Sequence, residues 1–576
     1  MDQLIDPRRG DAEDDVSSPK QRSMLAIAGS LLSEISLPKL VLTFLLMMVG
    51  PALLLGAAPL VVSAWLTQLT SDVATLAGIA SFLLLGALLA LGWFVGRPLL
   101  RLAERSFWSL NSIAVQPFYA FWREALRHVI ERHERDAPPQ ARARLRGATA
   151  IGAGVITCGF ALLMVALAWP STRFLGVPAD LMAPQRFIVP AIANSLVILG
   201  AYLAAAALGW GVADGTMPQP KDLPAFDADP GGQRWRVAHL SDIHIVGEPY
   251  GFRIESGRSG SQGNRRLERV LARLEEIHAA DPLDLVLVTG DMTDAGVSAE
   301  WACFMDAMDR HPALRERMLI LPGNHDLNVV DRSNPARLDL PTSPGKRLRQ
   351  MRCLSAMEAI QGRTALVARR AGGGAPVETL SDWLAPKRAA VAAFANAATL
   401  RLSFDLGNIW DEMFPLVLPP KTEDGLGVLV LNSNAETHFS FTNALGTVSI
   451  EQARELAGVM EAYPRARWIV ALHHHVVEYP KPAKKLSERV GTALINGSWF
   501  VRQLLPVQHR IVVMHGHRHI DWIGECAGLR IVSAPSPVMV PHGAPSTFLI
   551  HTLAAGPDGS LLLLDPQRES LAAEPT

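Results

Sequence analysis

Five short polar fragments stand out in the C-terminal half of the chain: Asp242-Ile-His244, Gly290-Asp291, Gly323-Asn324-His325-Asp326, the triple His473-His474-His475, and Gly516-His517-Arg518-His519. They combine carboxylates, imidazoles and a carboxamide, the donors that suit divalent Mn, Fe or Zn in mixed nitrogen and oxygen ligation. The four cysteines, Cys158, Cys303, Cys353 and Cys526, are scattered and form no CxxC pair. That spacing argues against a disulfide framework, a zinc ribbon or a soft-metal thiolate site. Buried thiols in a reducing compartment are the expectation. One D-x-H or one strand-end histidine carries little information, so order and placement have to decide.

The placement follows from short apolar runs that read as buried strands: Val237–Leu240, Leu285–Thr289, Met318–Leu321, Val428–Leu431, Ile469–Leu472 and Ile511–Met514. Amphipathic stretches at Arg265–Ala279, Glu300–Arg310 and Ile450–Ala462 read as helices between them, which is an α/β layout. Each polar fragment directly follows one of these strands, where loops at strand C-termini build ligand sites.

Taken in order, D-x-H, G-D, G-N-H-D, H and G-H-x-H resemble the signature of the calcineurin-like metallophosphoesterase superfamily, over roughly Trp235 to Leu564. The resemblance implies two central β-sheets flanked by helices, and hydrolysis of a phosphoester at a dinuclear centre. Such a reaction needs charge neutralisation on the phosphoryl oxygens and a hydroxide at neutral pH, which two divalent ions supply. Carried over residue by residue, it implies a first ion held by Asp242, His244 and His519. A second would be held by Asn324, His473 and His517, with Asp291 bridging both. His325 would be the catalytic acid or charge stabiliser over the phosphate, and Asp326 would orient it. The glycines before Asp291, Asn324 and His517 are expected to permit tight turns near the ions.

Several neighbours have plainer readings. His239 alternates inward on its strand and reads as a core histidine. The family pattern selects the first histidine after the strand, His473, with His474 as the one-residue alternative. His515 ends its strand as a supporting residue, and Arg518 faces either substrate phosphate or solvent. The stretch 327–420 carries no family motif and is long for a connection. Its helical patterns (Arg347–Gln361, Asp382–Ala397) and aromatics (Trp383, Phe404, Trp410, Phe414) suggest a cap-like insertion, the alternative being a helical insert packed on the sheet. Asn434 and His438 are further candidates to line the pocket.

The N-terminal half has a different solvent. The 576-residue chain is 49% hydrophobic and only 19% charged, and its length calls for more than one domain. Residues 1–36 are polar and acidic at the start, expected to be disordered, with no cleavable signal peptide. Four uncharged apolar stretches follow at Leu40–Leu66, Val73–Val95, Ala148–Trp169 and Phe187–Val212, each long enough to span a bilayer. We therefore expect a membrane domain at 37–213 with about four transmembrane helices, kinked at Pro51 and Pro59. A linker at 214–233, the phosphoesterase domain at 234–565 and a tail at 566–576 would complete the chain.

Arginines crowd the loop at 97–147, whereas Thr67–Asp72 has no basic residue and the third connection has only Arg173 and Arg186. The positive-inside rule then places the N-terminus, the long loop and the catalytic domain in the cytoplasm, at a bacterial-type inner membrane. The same loop holds Phe107, Trp108, Phe118, Tyr119, Phe121 and Trp122, a mixture that suits either a helix along the lipid headgroups or a plain cytoplasmic hairpin. The net charge of -1 offers no field for nucleic acid, and none is expected as a partner. The leading expectation is hydrolysis of a phosphomonoester or phosphodiester. A lipid-linked pyrophosphate or phospholipid head group is the second enzymatic reading, and a non-catalytic membrane sensor or scaffold comes from another class. Membrane lipids are the other expected partners.

Overall fold

The computed structural model describes residues 49–75, 115–133, 138–181, 183–247, 260–328, 344–368, 376–396, 400–435, 443–480, 494–541 and 543–572. The described residues divide into two compact units, one within Leu32–Met217 and the other within Pro218–Thr576.

Among the described residues of the first unit the long helices are α1 (Gly50–Thr75), α2 (Gln116–His133), α3 (Pro139–Ala168) and α4 (Ile188–Gly215). Among the described residues three segments are long and apolar enough to cross a membrane: Ala52–Thr70, Ala143–Ser171 and Gln185–Gly215. The sequence reading placed a connection at Thr67–Asp72, but α1 runs straight through it. Ser63, Thr67 and Thr70 donate their hydroxyls to carbonyls one turn back, so these polar groups are satisfied within an apolar helix, and Ser63 Oγ also accepts from Gly176 N at 2.8 Å. Most of the expected second span, Val73–Val95, lies outside the described residues.

Small residues let these helices approach closely. A Cβ on Gly154 would meet the Ala207 carbonyl at 2.7 Å, and one on Gly56 would overlap that of Ala191. The amide of Asn194 reaches the carbonyls of Gly56 and Arg173 at 3.0 and 2.7 Å, so this buried polar side chain is satisfied inside the apolar unit.

The second unit is an α/β domain with two sheets. Its strands are β1 (Lys221–Asp222), β2 (Arg234–Leu240), β3 (Leu285–Val288), β4 (Met318–Ile320), β5 (Leu366–Val367), β6 (Leu416–Leu418) and β7 (Leu426–Val430). Then come β8 (Arg467–Ala471), β9 (Ile511–His515), β10 (Trp522–Cys526), β11 (Leu529–Ser533), β12 (Ser546–Ala555), β13 (Leu561–Leu563) and β14 (Gln567–Leu571). The larger sheet has the order β1-β10-β11-β9-β8-β7-β6-β5, and the smaller β13-β12-β2-β3-β4 with β14 also on β12.

The strands that carry the polar fragments are parallel to one another: β2 with β3, β3 with β4, and β8 with β9. β3 and β4 are runs of Val, Leu, Ile and Met, and β8 and β9 are likewise buried along their length, as a helix-covered parallel sheet requires. Helix α5 (Gly260–Ala280) buries Leu267, Val270, Leu271, Leu274 and Ile277, a helical stripe, while Arg265, Glu268 and Glu276 face outward and Arg266 is buried, donating to Val538 O at 2.8 Å. Helix α6 (Ser298–Asp309) adds Trp301, Phe304 and Met308 to the one core that joins both sheets.

Three expected boundaries move. The described part of 327–420 is no separate cap. Helix α7 (Pro344–Gln361) lies in the main core, and β5 and β6 extend the larger sheet beyond β7. Gln361 even completes edge strand β4, its carboxamide accepting from Ile320 N at 2.7 Å and donating to Ile320 O at 3.1 Å. The supposed linker belongs largely to the domain, because β1 pairs with β10 and the Asp227 carboxylate takes Leu563 N at 2.8 Å. The supposed tail forms β14, paired with β12 from Ser546↔Leu571 to Ile550↔Gln567.

Candidate metal centre

The C-terminal ends of β2, β3 and β4 in one sheet, and of β8 and β9 in the other, bring their polar residues to one place. Asp242, His244 and His519 form one group whose donor atoms lie within 4.8 Å of one another, and Asp291, His473 and His517 form a second. Asn324 Oδ1 is 3.1 Å from His473 Nε2 and joins the second group. The Asp291 carboxylate stands between the two, with Oδ2 3.3 Å from His473 Nε2 and 3.7 Å from His244 Nε2.

The backbone is bent to achieve this. Among the described residues six that are not glycine have positive φ, and five of them are Asp242 (54°), His244 (45°), Asp291 (54°), His517 (76°) and His519 (52°). Left-handed backbone costs a side-chain-bearing residue on the order of 1 kcal/mol, so five such positions in one cluster mark stored strain. Hydrogen bonds between the loops hold it. Asp242 N donates to Gly290 O at 3.0 Å, His244 N to Asp291 O at 2.9 Å, and Gly516 N to His473 O at 3.1 Å.

Of the three expected turn glycines only Gly290 needs its positive φ of 96°. The other two are required by crowding: a Cβ on Gly323 would sit 2.1 Å from Asp291 Oδ1, and one on Gly516 would overlap Ser241.

The charge pattern fits divalent cations. Asp242 and Asp291 are fully buried carboxylates, which is costly unless positive charge lies beside them. Burial would raise Asp291, but His473, His325 and His244 hold its carboxyl well below the usual range. Burial likewise opposes charge on His473, and Asp291 overrides it and raises that imidazole. Asp242 is held low by His519 against the same burial, and its buried Oδ1 has no hydrogen-bond partner. Supporting contacts aim the rings: His473 Nδ1 lies 2.8 Å from the Thr289 carbonyl, which turns Nε2 toward Asp291 and Asn324.

The geometry separates His473 from its neighbours. His474 points Nδ1 at Ser433 Oγ, 2.9 Å away, and His475 faces Glu478 at 3.3 Å. His239 is buried against Thr289 Oγ1 at 3.0 Å. Arg518 pairs with Glu478 at 3.3 Å and lies over the Tyr479 ring. His515 Nδ1 sits 3.2 Å from the Gly516 carbonyl. Asn434 donates to Pro322 O at 2.9 Å, bracing the loop that carries Asn324, and His438 falls outside the described residues.

One expected role moves to another residue. Asp326 does not hold His325, since its carboxylate accepts from Gly323 N at 2.9 Å and from Thr293 N and Oγ1 at 2.9 and 2.7 Å. His325 Nδ1 instead meets the backbone carbonyl of Asp294 at 2.7 Å, and its amide donates to Asp291 Oδ1 at 2.8 Å. Asp294 also places Oδ1 3.3 Å from His244 Nδ1 and forms a third group with His244 and His325. The reading from sequence gave Asp294 no role. Its signal was a second carboxylate three residues after Asp291, on the same strand-end loop.

Two sheets thus gather histidine, aspartate and asparagine at their parallel strand ends, a donor set that suits divalent metal ions. Residues 236–383 match the family model for calcineurin-like phosphoesterases, and the chain carries a domain of that family. The matched stretch includes Asp242, His244, Asp291, Asn324 and His325, while His473, His517 and His519 lie beyond it.

Among solved structures, the chain is similar to a dimetal phosphatase from Danio rerio, at 11% identity and a TM-score of 0.32, covering 59% of this chain and 99% of that one. A purple acid phosphatase from yellow lupin, Lupinus luteus, aligns at 12% identity and a TM-score of 0.25, covering 60% of this chain and 55% of that one. No curated protein matches the sequence.

Proposed function

We propose that the protein hydrolyses a phosphomonoester or phosphodiester through a dinuclear centre. In this reading Asp242, His244 and His519 hold one ion, Asn324, His473 and His517 hold the other, and Asp291 bridges them. The observation that carries it is the buried Asp291 carboxylate, within 3.7 Å of an imidazole from one group and 3.3 Å of an imidazole from the other. Manganese, iron or zinc suits this nitrogen and oxygen donor set, and the pair would neutralise phosphoryl charge and provide hydroxide near neutral pH. His325 is the proposed proton donor, with its ring oriented through Nδ1 by the Asp294 carbonyl.

The reading places this chemistry at the cytoplasmic face of a bacterial-type inner membrane. Two observations support it: the arginine-rich stretch 97–147, and the pairing of the α3 and α4 ends, where a Cβ on Gly147 would meet Gly215 O at 2.9 Å.

The test is metal removal and reloading of the purified full-length protein with Mn, Fe, Zn or Mg, assayed on aryl phosphate mono- and diesters. Activity should vanish on chelation and return with at least one transition metal. Two bound equivalents with no turnover on either ester class would overturn the reading. C-terminal alkaline phosphatase and fluorescent-protein fusions test orientation separately, and an inactive phosphatase with a bright fluorophore is expected.

A further inference from the structure

Helix α2 turns its charges inward. Arg123 meets Glu124 at 3.0 Å and Asp214 at 2.8 Å, and Tyr119 donates its hydroxyl to the same Asp214 oxygen at 2.9 Å. Farther along, Glu131 takes Arg127 at 3.1 Å and Arg146 at 3.2 Å. Among the described residues the network sets Arg123, Arg127 and Arg146 against Glu124, Glu131 and Asp214, and Glu124 is fully buried.

The opposite face is open, apolar over its N-terminal turns and joined toward its C-terminal end by exposed His128 and Arg132. Phe118, Phe121 and Val129 are 59%, 46% and 54% exposed, and with Ala125 they follow the 3-4-4 spacing of one helical stripe. A helix bathed in water has the reverse arrangement, with apolar residues in and charges out.

Two observations identify what covers this stripe. First, it is continuous with the exposed face of α3. Trp122 stacks on Phe160 with ring centroids 5.9 Å apart, and Phe160 is exposed beside Val155 and Leu163 on a helix of membrane-spanning length. Contacts run antiparallel along α3, from Trp122 with Phe160 to Glu131 with Arg146, so α2 lies alongside the middle of that helix. Second, a charge-balanced, internally paired network is the form in which ionised side chains are tolerated in a low-dielectric surround. His128 and Arg132, which are exposed, sit toward the C-terminal end of α2, where a headgroup layer would accept them.

We propose that α2 is embedded beside α3, with Phe118 and Phe121 against lipid acyl chains and its C-terminal turns rising into the headgroup layer. The inference rests on reading α3 as a membrane span. It converts part of the arginine-rich stretch from a cytoplasmic hairpin into lipid-facing structure.

The experiment uses full-length protein in phosphatidylcholine–phosphatidylglycerol nanodiscs, spin-labelled at Phe118→Cys, Phe121→Cys, Leu163→Cys or Arg132→Cys. The four native cysteines are buried, and the unsubstituted protein measures their background. Collision rates with oxygen and with a water-soluble nickel chelate are recorded. The oxygen-to-nickel ratio at 118 and 121 should fall within about threefold of that at 163 and roughly tenfold above that at 132, because hydrocarbon excludes the chelate.

Nickel access at 118 equal to that at 132, with 163 still oxygen-rich, would put α2 in water and overturn the proposal. Low access to both reagents would mean a protein cover, such as a second copy, and would overturn it equally. Nickel access at 163 itself would show that the spanning reading of α3 has failed, and the proposal would fall with it.

Discussion

His325 Nδ1 sits 2.7 Å from the backbone carbonyl of Asp294, three residues beyond the carboxylate that stands between the two metal-binding groups. The imidazole is thus oriented by the Asp291–Asp294 loop rather than by its sequence neighbour Asp326.

That difference separates three variants. His325→Ala should keep two metal equivalents and lose kcat by roughly 10²- to 10⁴-fold, the usual range for a positioned proton donor. Asp291→Asn should lose most bound metal and nearly all activity. Asp326→Ala strips the acceptor from Gly323 N, Thr293 N and Thr293 Oγ1, and should destabilise the phosphoesterase unit by about 3 kcal/mol. Metal analysis, kcat and the unfolding midpoint distinguish them. Unchanged stability in Asp326→Ala with a shifted kcat–pH profile would restore its orienting role.

A second prediction concerns Gly323. A Cβ there would lie 2.1 Å from Asp291 Oδ1 and 2.2 Å from Asp291 N; the second is backbone and the first is held by His325 N at 2.8 Å. Gly323→Ala should therefore displace Asp291 and reduce metal content. Gly458→Ala is the control, since that helical glycine has open space around its Cβ position, and it should stabilise by about 0.5–1 kcal/mol. Full metal occupancy in Gly323→Ala would show that the loop can yield.

Acid sensitivity follows from a buried histidine pair outside the proposed ligand set. His239 and His551, on adjacent strands β2 and β12, have ring centroids 5.8 Å apart. Burial lowers His551 from 6.5 to about 4, and burial together with His551 takes His239 well below its ordinary value. The unfolded chain thus binds these protons first. Stability is complete above pH 6.5 and falls as the pH drops toward 4, by up to about 1.4 kcal/mol per pH unit for each histidine. His551→Leu should flatten the slope of unfolding free energy against pH between 6.5 and 4. An unchanged slope would place the acid sensitivity elsewhere.

Much of the domain was legible in residue types and spacing. Leu285–Val288, Arg467–Ala471 and Ile511–His515 are apolar runs ended by polar fragments, and such runs form strands because burial on both faces demands them. Helix Ile450–Ala462 was bounded correctly, its start capped by Ser449. The strands after residue 520 went unread because they lack a polar signature at their ends. The hairpin between β10 and β11 turns at Ala527 and Gly528, both with positive φ, and an Ala-Gly pair is a weak turn signal.

The sequence alone determined which donors were available, and their order after the strands restricted the chemistry to divalent metals and phosphoesters. Tertiary structure decided which donors meet. His473 and His474 are adjacent and chemically identical, yet only the first is turned by the Thr289 carbonyl toward Asp291, while the second is taken by Ser433. Asp326 is next to His325 in the chain, but the left-handed turn at Asp291 brings Asp294 back onto that ring. Adjacency in sequence does not set side-chain direction where φ changes sign, and a partner lent by the opposite sheet has no local trace.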